Sequence, residues 1–516
     1  MGQQPLVIIP NKGLGFLLLG ASVHDVLIRL KAQPQLYPII DISYSPPSPL
    51  VEPIILTLPQ NGLRLRFDGP DQRLRLIEVL DFTKVPLSYR NLDVVKLPDQ
   101  QDSSISNKPT GPGFRYAYQR IFGPTFPGEY IPPAPGSTYG TYVLSYPGLA
   151  LSFPLHPSAW SPGCDFVKTL EGQNIQSLAI FNGSSWKDAR QDLYTQECTQ
   201  PRSLAANGKG RHDNPEEIEC IKICGNGRLE LQRGSTPPFQ ITLSQTTPQE
   251  LVAELGPPDA IYRKNDRRLS IHKTRAGSQA NRRPVVSNSP ARHDGYSDTD
   301  RSSVITSADD SDSEESPRGP NGTGSEFSSD CFYNYFSHGF DVFISYPAGP
   351  SVPLRPLDSG AEDQMKEVNA GHLVATKILL HGNVPGSYPF NRYRRCRWVL
   401  DPEQIVNEQG LSLSSETSFT QLSETLRDVW NSTYKTKEEE RSVQRGMVLN
   451  RGWGDSPGSS CELLGGWEES ADLPKRGRGG GTVDNEPGLG NTELFGFPGL
   501  LFEVLKNDCI SCVTVY

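Results

Sequence analysis

A short segment rich in arginine is the part of this sequence best suited to bind phosphate or acidic groups. It reads Asn391-Arg392-Tyr393-Arg394-Arg395-Cys396-Arg397-Trp398-Val399-Leu400. As a strand, it would turn Tyr393, Arg395 and Arg397 to one side and apolar residues to the other. Guanidinium groups beside an aromatic ring form a stripe that can bind phosphate or carboxylate. The alternative is a solvated outer face whose arginines pair with acids on neighbouring strands.

Two close cysteine pairs pose the question of a metal site. Cys220 and Cys224 are four positions apart, and Cys509 and Cys512 are three apart. On a strand that rises ~3.3 Å per residue, the first pair shares a face but lies ~13 Å apart, too far to hold one zinc ion together. The second pair would face opposite sides of a strand. We therefore expect structural cysteines and no metal site.

Motifs for catalysis or cofactor binding are not found in the sequence. It contains no G-x-S-x-G elbow and no Walker-type lysine, and its eight histidines fall in predicted loops or turns without a companion motif. Gly13-Leu14-Gly15 is followed by Leu18 where a dinucleotide fingerprint needs a third glycine. We expect no catalytic residue and no cofactor. The alternative of another class is an enzyme whose site lies between repeat units and is assembled from residues far apart in sequence.

Four glycines open the same strand pattern, in which apolar residues occupy alternate positions. They are Gly62, Gly148, Gly339 and Gly499. The alternation predicts a strand with one buried face, and a preceding glycine supplies the positive φ of a tight hairpin turn. A third apolar run follows each hairpin, so each unit is predicted to be a three-stranded antiparallel meander. These glycines are interpreted as hairpin residues of a scaffold rather than as ligand-binding loops.

A capped helix precedes at least three of the meanders. The predicted caps pair one side chain with the residue three positions later, namely Ser22 with Asp25, Thr247 with Glu250, and Ser418 with Gln421. The second unit has a helix pattern in residues 114–122 without a clear cap. The sequence therefore predicts an α+β fold of tandem repeats, each a helix followed by a three-stranded antiparallel meander.

The predicted units span residues 1–95, 110–185, 215–400 and 411–516. Two polar stretches, 264–329 and 435–491, interrupt the third and fourth units and are expected to be disordered insertions in surface loops. A chain that is only 35% hydrophobic needs such regions. Within the first insertion, Ser311 and Ser313 precede acidic residues and are candidate phosphorylation sites. An acidic solubilising patch is the alternative.

Charge and hydropathy argue against a nucleic acid partner and against a membrane-spanning helix. The formal net charge of −9 shows no basic excess, so we expect no nucleic acid partner. The longest apolar run, Phe16 to Leu19, is far shorter than the roughly 20 residues of a spanning helix, and no signal peptide pattern begins the chain. The sequence predicts a cytoplasmic protein.

Several aromatic-rich segments resemble the phagophore (phagosome) assembly factor family. They are Leu63 to Phe67 with Asp71 to Val79, Phe122 to Tyr130, Asp330 to Phe336, Pro385 to Tyr393, and Leu501 to Val504 with Val513 to Tyr516. The resemblance touches all four predicted units and leaves out the two insertions. Those insertions set the chain apart from animal members and are typical of a fungal-type member.

The resemblance implies a non-enzymatic autophagy adaptor that acts with a WD40 β-propeller partner at the phagophore assembly site, in association with phosphoinositide. Lipid contact is either direct or through the partner. An alternative for the family is a trans-Golgi network factor for transport to the plasma membrane. On this basis, the candidate partner or phosphoinositide surface is Arg392, Tyr393, Arg394, Arg395 and Arg397. We expect charge reversal at Arg395 and Arg397 to weaken binding while the fold stays intact.

Overall fold

Antiparallel strands dominate the computed structural model of this protein. It describes residues 4–95, 111–195, 216–234, 236–263, 330–347, 372–387, 389–401, 413–430, 436–443, 446–450 and 491–516. Met1–Tyr262 and Phe332–Tyr516 form one compact unit. Of the second unit, Arg263–Cys331, only the residues at its two ends are described. We call the described residues up to 195 the first half and those from 216 onward the second half.

The first half alternates small strands, short helices and two meanders. Its strands are β1 (Leu6–Ile9), β2 (Gly13–Leu14), β3 (Leu17–Leu18), β4 (Asp41–Ser43), β5 (Ile54–Leu58), β6 (Leu63–Phe67), β7 (Leu74–Val79), β8 (Leu87–Tyr89), β9 (Leu92–Asp93), β10 (Glu129–Ile131), β11 (Gly140–Tyr146), β12 (Leu149–Leu155) and β13 (Ser177–Ile180). Its helices are α1 (Val23–Lys31), α2 (Phe114–Tyr116) continued by a π-helical turn (Ala117–Ile121), a 3-10 turn (Pro157–Ala159), α3 (Phe166–Leu170) and α4 (Trp186–Ala189).

The second half follows the same plan. Its strands are β14 (Ile218–Ile223), β15 (Arg228–Arg233), β16 (Phe239–Thr242), β17 (Ala260–Arg263), β18 (Cys331–Tyr335), β19 (Phe340–Ser345), β20 (Val374–His381), β21 (Trp398–Leu400), β22 (Met447–Asn450), β23 (Asn491–Phe497), β24 (Leu500–Leu505) and β25 (Ile510–Val515). Its helices are α5 (Pro248–Leu255), α6 (Phe419–Trp430) and α7 (Lys437–Val443). Among the described helices, none is long and apolar enough to cross a membrane.

Two eight-stranded sheets carry the four meanders. The first has the order β10-β11-β12-β13-β7-β6-β5-β4 and the second has the order β17-β18-β19-β20-β25-β24-β23-β22. In each sheet two meanders are joined through their last strands, which run antiparallel with Leu178 opposite Val79 and Ile378 opposite Val515. A fourth strand precedes each predicted hairpin and extends it at the sheet edge. The predicted α+β fold with antiparallel meanders is confirmed.

Two smaller sheets show that the halves repeat one another. Their orders are β3-β2-β1-β8-β9 and β16-β15-β14-β21. Each contains one parallel pair, with Leu6 opposite Leu87 and Ile221 opposite Trp398. Each half therefore consists of a small meander, a helix, a four-stranded meander, a strand that returns beside the first, a second helix and a second meander. The sequence did not indicate this larger repeat, because the small strands are too short to show a hydrophobic period.

Local capping chemistry starts the helices where the sequence predicts. Ser22 Oγ accepts a hydrogen bond from the backbone of Asp25, and the Thr247–Glu250 capping box is complete. The Ser418 hydroxyl accepts from the Gln421 amide at 3.4 Å. The α2 segment begins at Gly113 without a side-chain cap. One amphipathic face of each longer helix then packs on a sheet, as Val23, Val26, Leu27 and Leu30 of α1 do.

The second predicted insertion, 435–491, contains two described elements, α7 and β22. Thr436 caps α7 by accepting the Glu439 amide at 3.1 Å, and acidic residues fill the first turn, where the helix dipole favours them. β22 then pairs with β23, with Val448 opposite Glu493. The remaining residues of that insertion lie outside the described ranges, as do all of 264–329 and the candidate phosphorylation sites Ser311 and Ser313.

Candidate functional site

The arginine segment is a buried connection rather than an exposed strand, so the predicted strand over 391–400 is wrong. The strand β21 begins only at Trp398, and Tyr393, Arg394 and Arg395 are 2%, 6% and 7% exposed. Residues 382–397 connect β20 to β21, whereas the shorter run 80–86 makes the equivalent connection in the first half. The longer connection has room to fold back between the two halves. Its side chains are consequently enclosed by both.

Tyr393 anchors this segment on the second sheet through a buried carboxylate. Its hydroxyl donates to Asp341 Oδ2 at 2.8 Å, and its ring stacks on His381 with the centroids 3.7 Å apart. His381 Nε2 lies 2.9 Å from the same oxygen, and Asn334 donates to Asp341 Oδ1 at 2.8 Å. Burial and the neighbouring carboxylate raise the pKa of Tyr393, so the hydroxyl keeps the proton it donates. Both side-chain oxygens of the buried Asp341 therefore have hydrogen-bond partners.

Arg394 joins the segment to the first half. One terminal nitrogen pairs with Asp25 of α1, and the other pairs with Glu217 Oε1 at 3.0 Å. Glu217 also pairs with the buried Arg73. Burial works against ionisation of Asp25, but the hydrogen bond with His24 and the Arg394 charge outweigh it and lower the pKa of Asp25 to about 2. This acid is therefore ionised at neutral pH.

Arg395 is held by backbone carbonyls as well as by an acid. Its Nε donates to the carbonyl of Pro70 at 2.6 Å, and Nη1 donates to that of Gly382 at 2.6 Å. Its Nη2 lies 3.2 Å from Glu416 Oε1. Pro70 belongs to the first half and Glu416 to the second. Arg395 therefore holds both halves against the connection between β20 and β21.

Arg397 completes the network at its more exposed margin. Its Nη1 lies 2.7 Å from Asp71, and its Nε lies 3.0 Å from Glu416. Burial raises the pKa of Glu416, yet the charges of Arg395 and Arg397 prevail and lower that pKa to about 2. The arginines and acids of the junction therefore neutralise one another, and the arrangement acts as a clamp between the halves.

Only the margins of the predicted binding surface reach solvent. The Arg397 side chain is 37% exposed, and Arg392 is half-buried with its guanidinium group over the Tyr393 ring. Partner or phosphoinositide binding by these two residues stays a prediction. The acids that pair with the segment were missed because they are remote in sequence: Arg397 and Asp71 are 326 positions apart, and Arg394 and Asp25 are 369 apart. No local pattern connects such residues.

The hairpin glycines lie in their turns and also allow close packing. All four have positive φ, with values of 64°, 75°, 86° and 72° for Gly62, Gly148, Gly339 and Gly499. A Cβ on Gly339 would lie 2.3 Å from the carbonyl oxygen of Arg394, so this turn supports the arginine segment directly. A Cβ on Gly499 would meet nothing closer than 3.5 Å. The sequence indicated the turns but not this contact.

The cysteines of the two pairs form no disulfide. Burial raises the pKa of both Cys220 and Cys509 to about 11, which keeps these thiols protonated at neutral pH. Within the described ranges, no three His, Cys, Asp or Glu side chains are grouped so as to hold a metal ion.

Relatives of this chain carry one common name. A PHAF1 protein of Arabidopsis thaliana is 22% identical over 543 residues, which cover 100% of this chain and 94% of that protein. A PHAF1 protein of Drosophila melanogaster is 22% identical over 536 residues, with coverage of 99% and 94%. A PHAF1 protein of Caenorhabditis elegans is 21% identical over 436 residues, with coverage of 81% of each chain. No solved structure gives a significant match.

A family model agrees with these relatives. The model described as phagosome assembly factor 1 matches residues 13–287 and 368–516. These ranges include the arginine segment and most strands of both eight-stranded sheets. They also confirm the resemblance seen in the aromatic-rich segments. The chain therefore belongs to the phagosome assembly factor 1 family.

Proposed function

We propose that this protein is a non-enzymatic adaptor in phagosome assembly, which binds a WD40 β-propeller partner at the forming phagophore. Phosphoinositide association accompanies that binding, directly or through the partner. Family membership supports the role in phagosome assembly. The cytoplasmic protein is recruited to the phagophore assembly site in this proposal.

The observation that carries the adaptor role is the internal pairing of the junction. Arg394, Arg395 and Arg397 bind acids of the protein itself, and Asp341 receives hydrogen bonds from Tyr393 and its neighbours. These groups hold two sheets in a fixed relationship instead of facing a substrate. A fixed pair of sheets presents its edges in a constant geometry, as an adaptor requires.

Co-purification tests the partner. A tagged full chain is expressed in starved cells, and the recovered proteins are tested for a WD40 propeller protein. Recovery of such a protein, together with recruitment of the tagged chain to starvation-induced puncta, is the expected result. A chain that recovers no propeller protein and stays diffuse on starvation contradicts the proposal.

Vesicle flotation separates direct from partner-mediated lipid contact. The full chain is floated with phosphatidylcholine vesicles that contain or omit phosphatidylinositol phosphate, with and without the propeller protein. Arg392→Glu is compared with Arg120→Glu, a matched reversal at an exposed arginine outside the junction. A selective loss with Arg392→Glu supports direct contact through the margin of the arginine segment. Flotation only in the presence of the propeller protein assigns lipid contact to the partner.

A further inference from the structure

The edge strand β22 of the second eight-stranded sheet lacks, among its own four residues, the proline and charge found at or beside both edges of the first sheet. We infer that β22 (Met447–Asn450) and the groove beside it bind an extended apolar segment of the protein partner, which adds as a further strand. This inference rests on the proposed adaptor function and names the surface and chemistry that it uses.

Proline and charge guard the edges of the first sheet. The edge strand β10 contains Glu129, which pairs with Arg190, and it is flanked by Pro127 and Pro132. At the other edge, β4 begins with Asp41, and a proline pair follows at 46–47. Such residues oppose pairing with another chain. β22 has the sequence Met-Val-Leu-Asn, without proline or charge.

Both faces of β22 carry exposed apolar side chains. Met447 and Val448 are each 68% exposed. Because consecutive strand residues point to opposite faces, the two faces are uncovered together. In the described part of the chain β22 is the last strand of its sheet and pairs only with β23. Its outer backbone groups are best satisfied by another extended backbone, which a lipid cannot supply.

A groove next to the edge indicates which side chains the added strand carries. It has a volume of about 790 Å³ and lies between α6 and the sheet, with Val448, Phe419, Phe495 and Val504 on its walls. The Phe419 and Phe495 rings lie 4.5 Å apart. An apolar side chain opposite Val448 would enter this groove and be removed from water.

Charge at the rim adds a second element of recognition. Four charged residues line the groove, namely Arg427, Lys506, Glu493 and Asp508. Of the two cations, Lys506 has no ion pair among the described residues. The nearby Asp508 is occupied, since its carboxylate caps α6 by accepting the Thr420 amide at 3.1 Å. A carboxylate that follows the apolar residues of the partner segment therefore suits Lys506. The expected segment is extended, apolar on both faces of its core and acidic at one end.

Hydrogen exchange and affinity measurements test the inference on the full chain with the propeller protein. Partner binding is expected to slow exchange of the Met447–Asn450 amides. Val448→Lys is expected to weaken binding at least about tenfold, because it places a charge at the contact with an apolar segment. Val51→Lys is the matched control, since Val51 is 69% exposed but lies outside the strands. It should leave affinity unchanged.

The outcomes distinguish failure of the proposed adaptor function from failure of the inference about β22. If the wild-type chain does not bind a propeller protein, the proposed function and this inference both fail. If it binds while β22 exchange and the Val448→Lys affinity stay unchanged, only the inference fails. Should Val448→Lys not fold, Val448→Thr and the wild-type exchange pattern decide. A further outcome would overturn the inference: β22 exchanges slowly in the free chain and quickly once residues 451–490 are deleted. The β22 edge would then be covered by residues 451–490 of this chain and not by a partner.

Discussion

Gln72 and Asn383 exchange two hydrogen bonds across the junction between the halves. The Gln72 side chain donates to the Asn383 carbonyl at 2.8 Å, and the Asn383 side chain donates to Gln72 Oε1 at 2.7 Å. Both residues are buried and both have positive φ, 54° and 46°. Asn383 Oδ1 also accepts the Asn391 amide at 2.6 Å. This neutral pair therefore aligns the arginine segment beside the ion pairs.

The amide pair should show strong coupling in a double-mutant cycle. Each of Gln72→Ala and Asn383→Ala leaves a buried polar group unpaired, which costs about 1–3 kcal/mol of unfolding free energy. The double variant is expected to lose less than the sum of the single losses, by roughly 0.5–3 kcal/mol. Denaturant unfolding of the four proteins measures this difference. Additive losses would show that the two side chains act independently.

Truncation of Arg395 should destabilise the protein far more than truncation of Arg392. Arg395→Ala removes one of the two cations that pair with the partly buried Glu416, and it removes hydrogen bonds to three backbone carbonyls. A loss of about 3–5 kcal/mol is therefore expected. Arg392→Ala should stay within about 0.5 kcal/mol, because this half-buried side chain lies at the margin of the segment and takes no part in the ion pairs of the junction. Charge reversal at Arg395 is accordingly expected to impair folding, contrary to the expectation from sequence. Equal stability of the two alanine variants would contradict the clamp.

Acid should weaken the junction in a defined pH range. Glu416 has an ordinary pKa of 4.5 that is lowered to about 2 in the folded protein, and Asp25 is lowered from 3.8 to about 2. A lowered folded-state pKa contributes stability above the unfolded-state value, and this contribution is lost as pH falls toward the folded-state value. Thermal stability should therefore drop between about pH 4.5 and pH 2.

Glu416→Gln supplies the control for this pH dependence. It removes one of the two junction carboxyl groups whose pKa is lowered to about 2, so its stability should fall less steeply over the same range than that of the wild-type protein. The two melting temperatures should converge as the pH decreases. Parallel curves would mean that Glu416 ionisation does not contribute to stability.

Two hairpin glycines form a matched pair that separates turn strain from packing. Gly339→Ala and Gly499→Ala both place a side chain at positive φ, which costs roughly 1–3 kcal/mol. Only Gly339→Ala also drives a Cβ against the Arg394 carbonyl oxygen, at 2.3 Å. Gly339→Ala should therefore lower the unfolding free energy by at least about 2 kcal/mol more than Gly499→Ala. Equal losses would indicate that the arginine segment moves away from the added Cβ without lowering the unfolding free energy.

Features fixed by neighbouring residues could be predicted from the sequence. The hairpin at Gly499 depends on a turn glycine and on alternation in the strand after it, and the α5 capping box depends on residues three positions apart. Such signals lie within a few residues of each other. The resemblance to the family rests on longer aromatic segments.

The junction could not be predicted, because its partners meet only in the folded chain. Four closely spaced arginines look like a basic surface until Asp25, Asp71, Glu217 and Glu416 are brought beside them. Composition gave no sign of α7, where a run of charges resembles a disordered insertion but follows a capping threonine. The β22 edge likewise becomes visible only once the order of the strands is known.

Hydrogen exchange of residues 391–397 in the full chain tests most directly whether the arginine segment is an internal clamp. The Arg394 amide donates to the Phe336 carbonyl at 2.9 Å, and the Cys396 amide donates to that of His381 at 2.9 Å. Both amides should exchange as slowly as those of β20 and β25, because both hydrogen bonds lie within the second half and the segment that carries them is enclosed by both halves. Exchange as fast as that of the residues around the exposed Phe126 would contradict the clamp and restore the segment as a candidate binding surface.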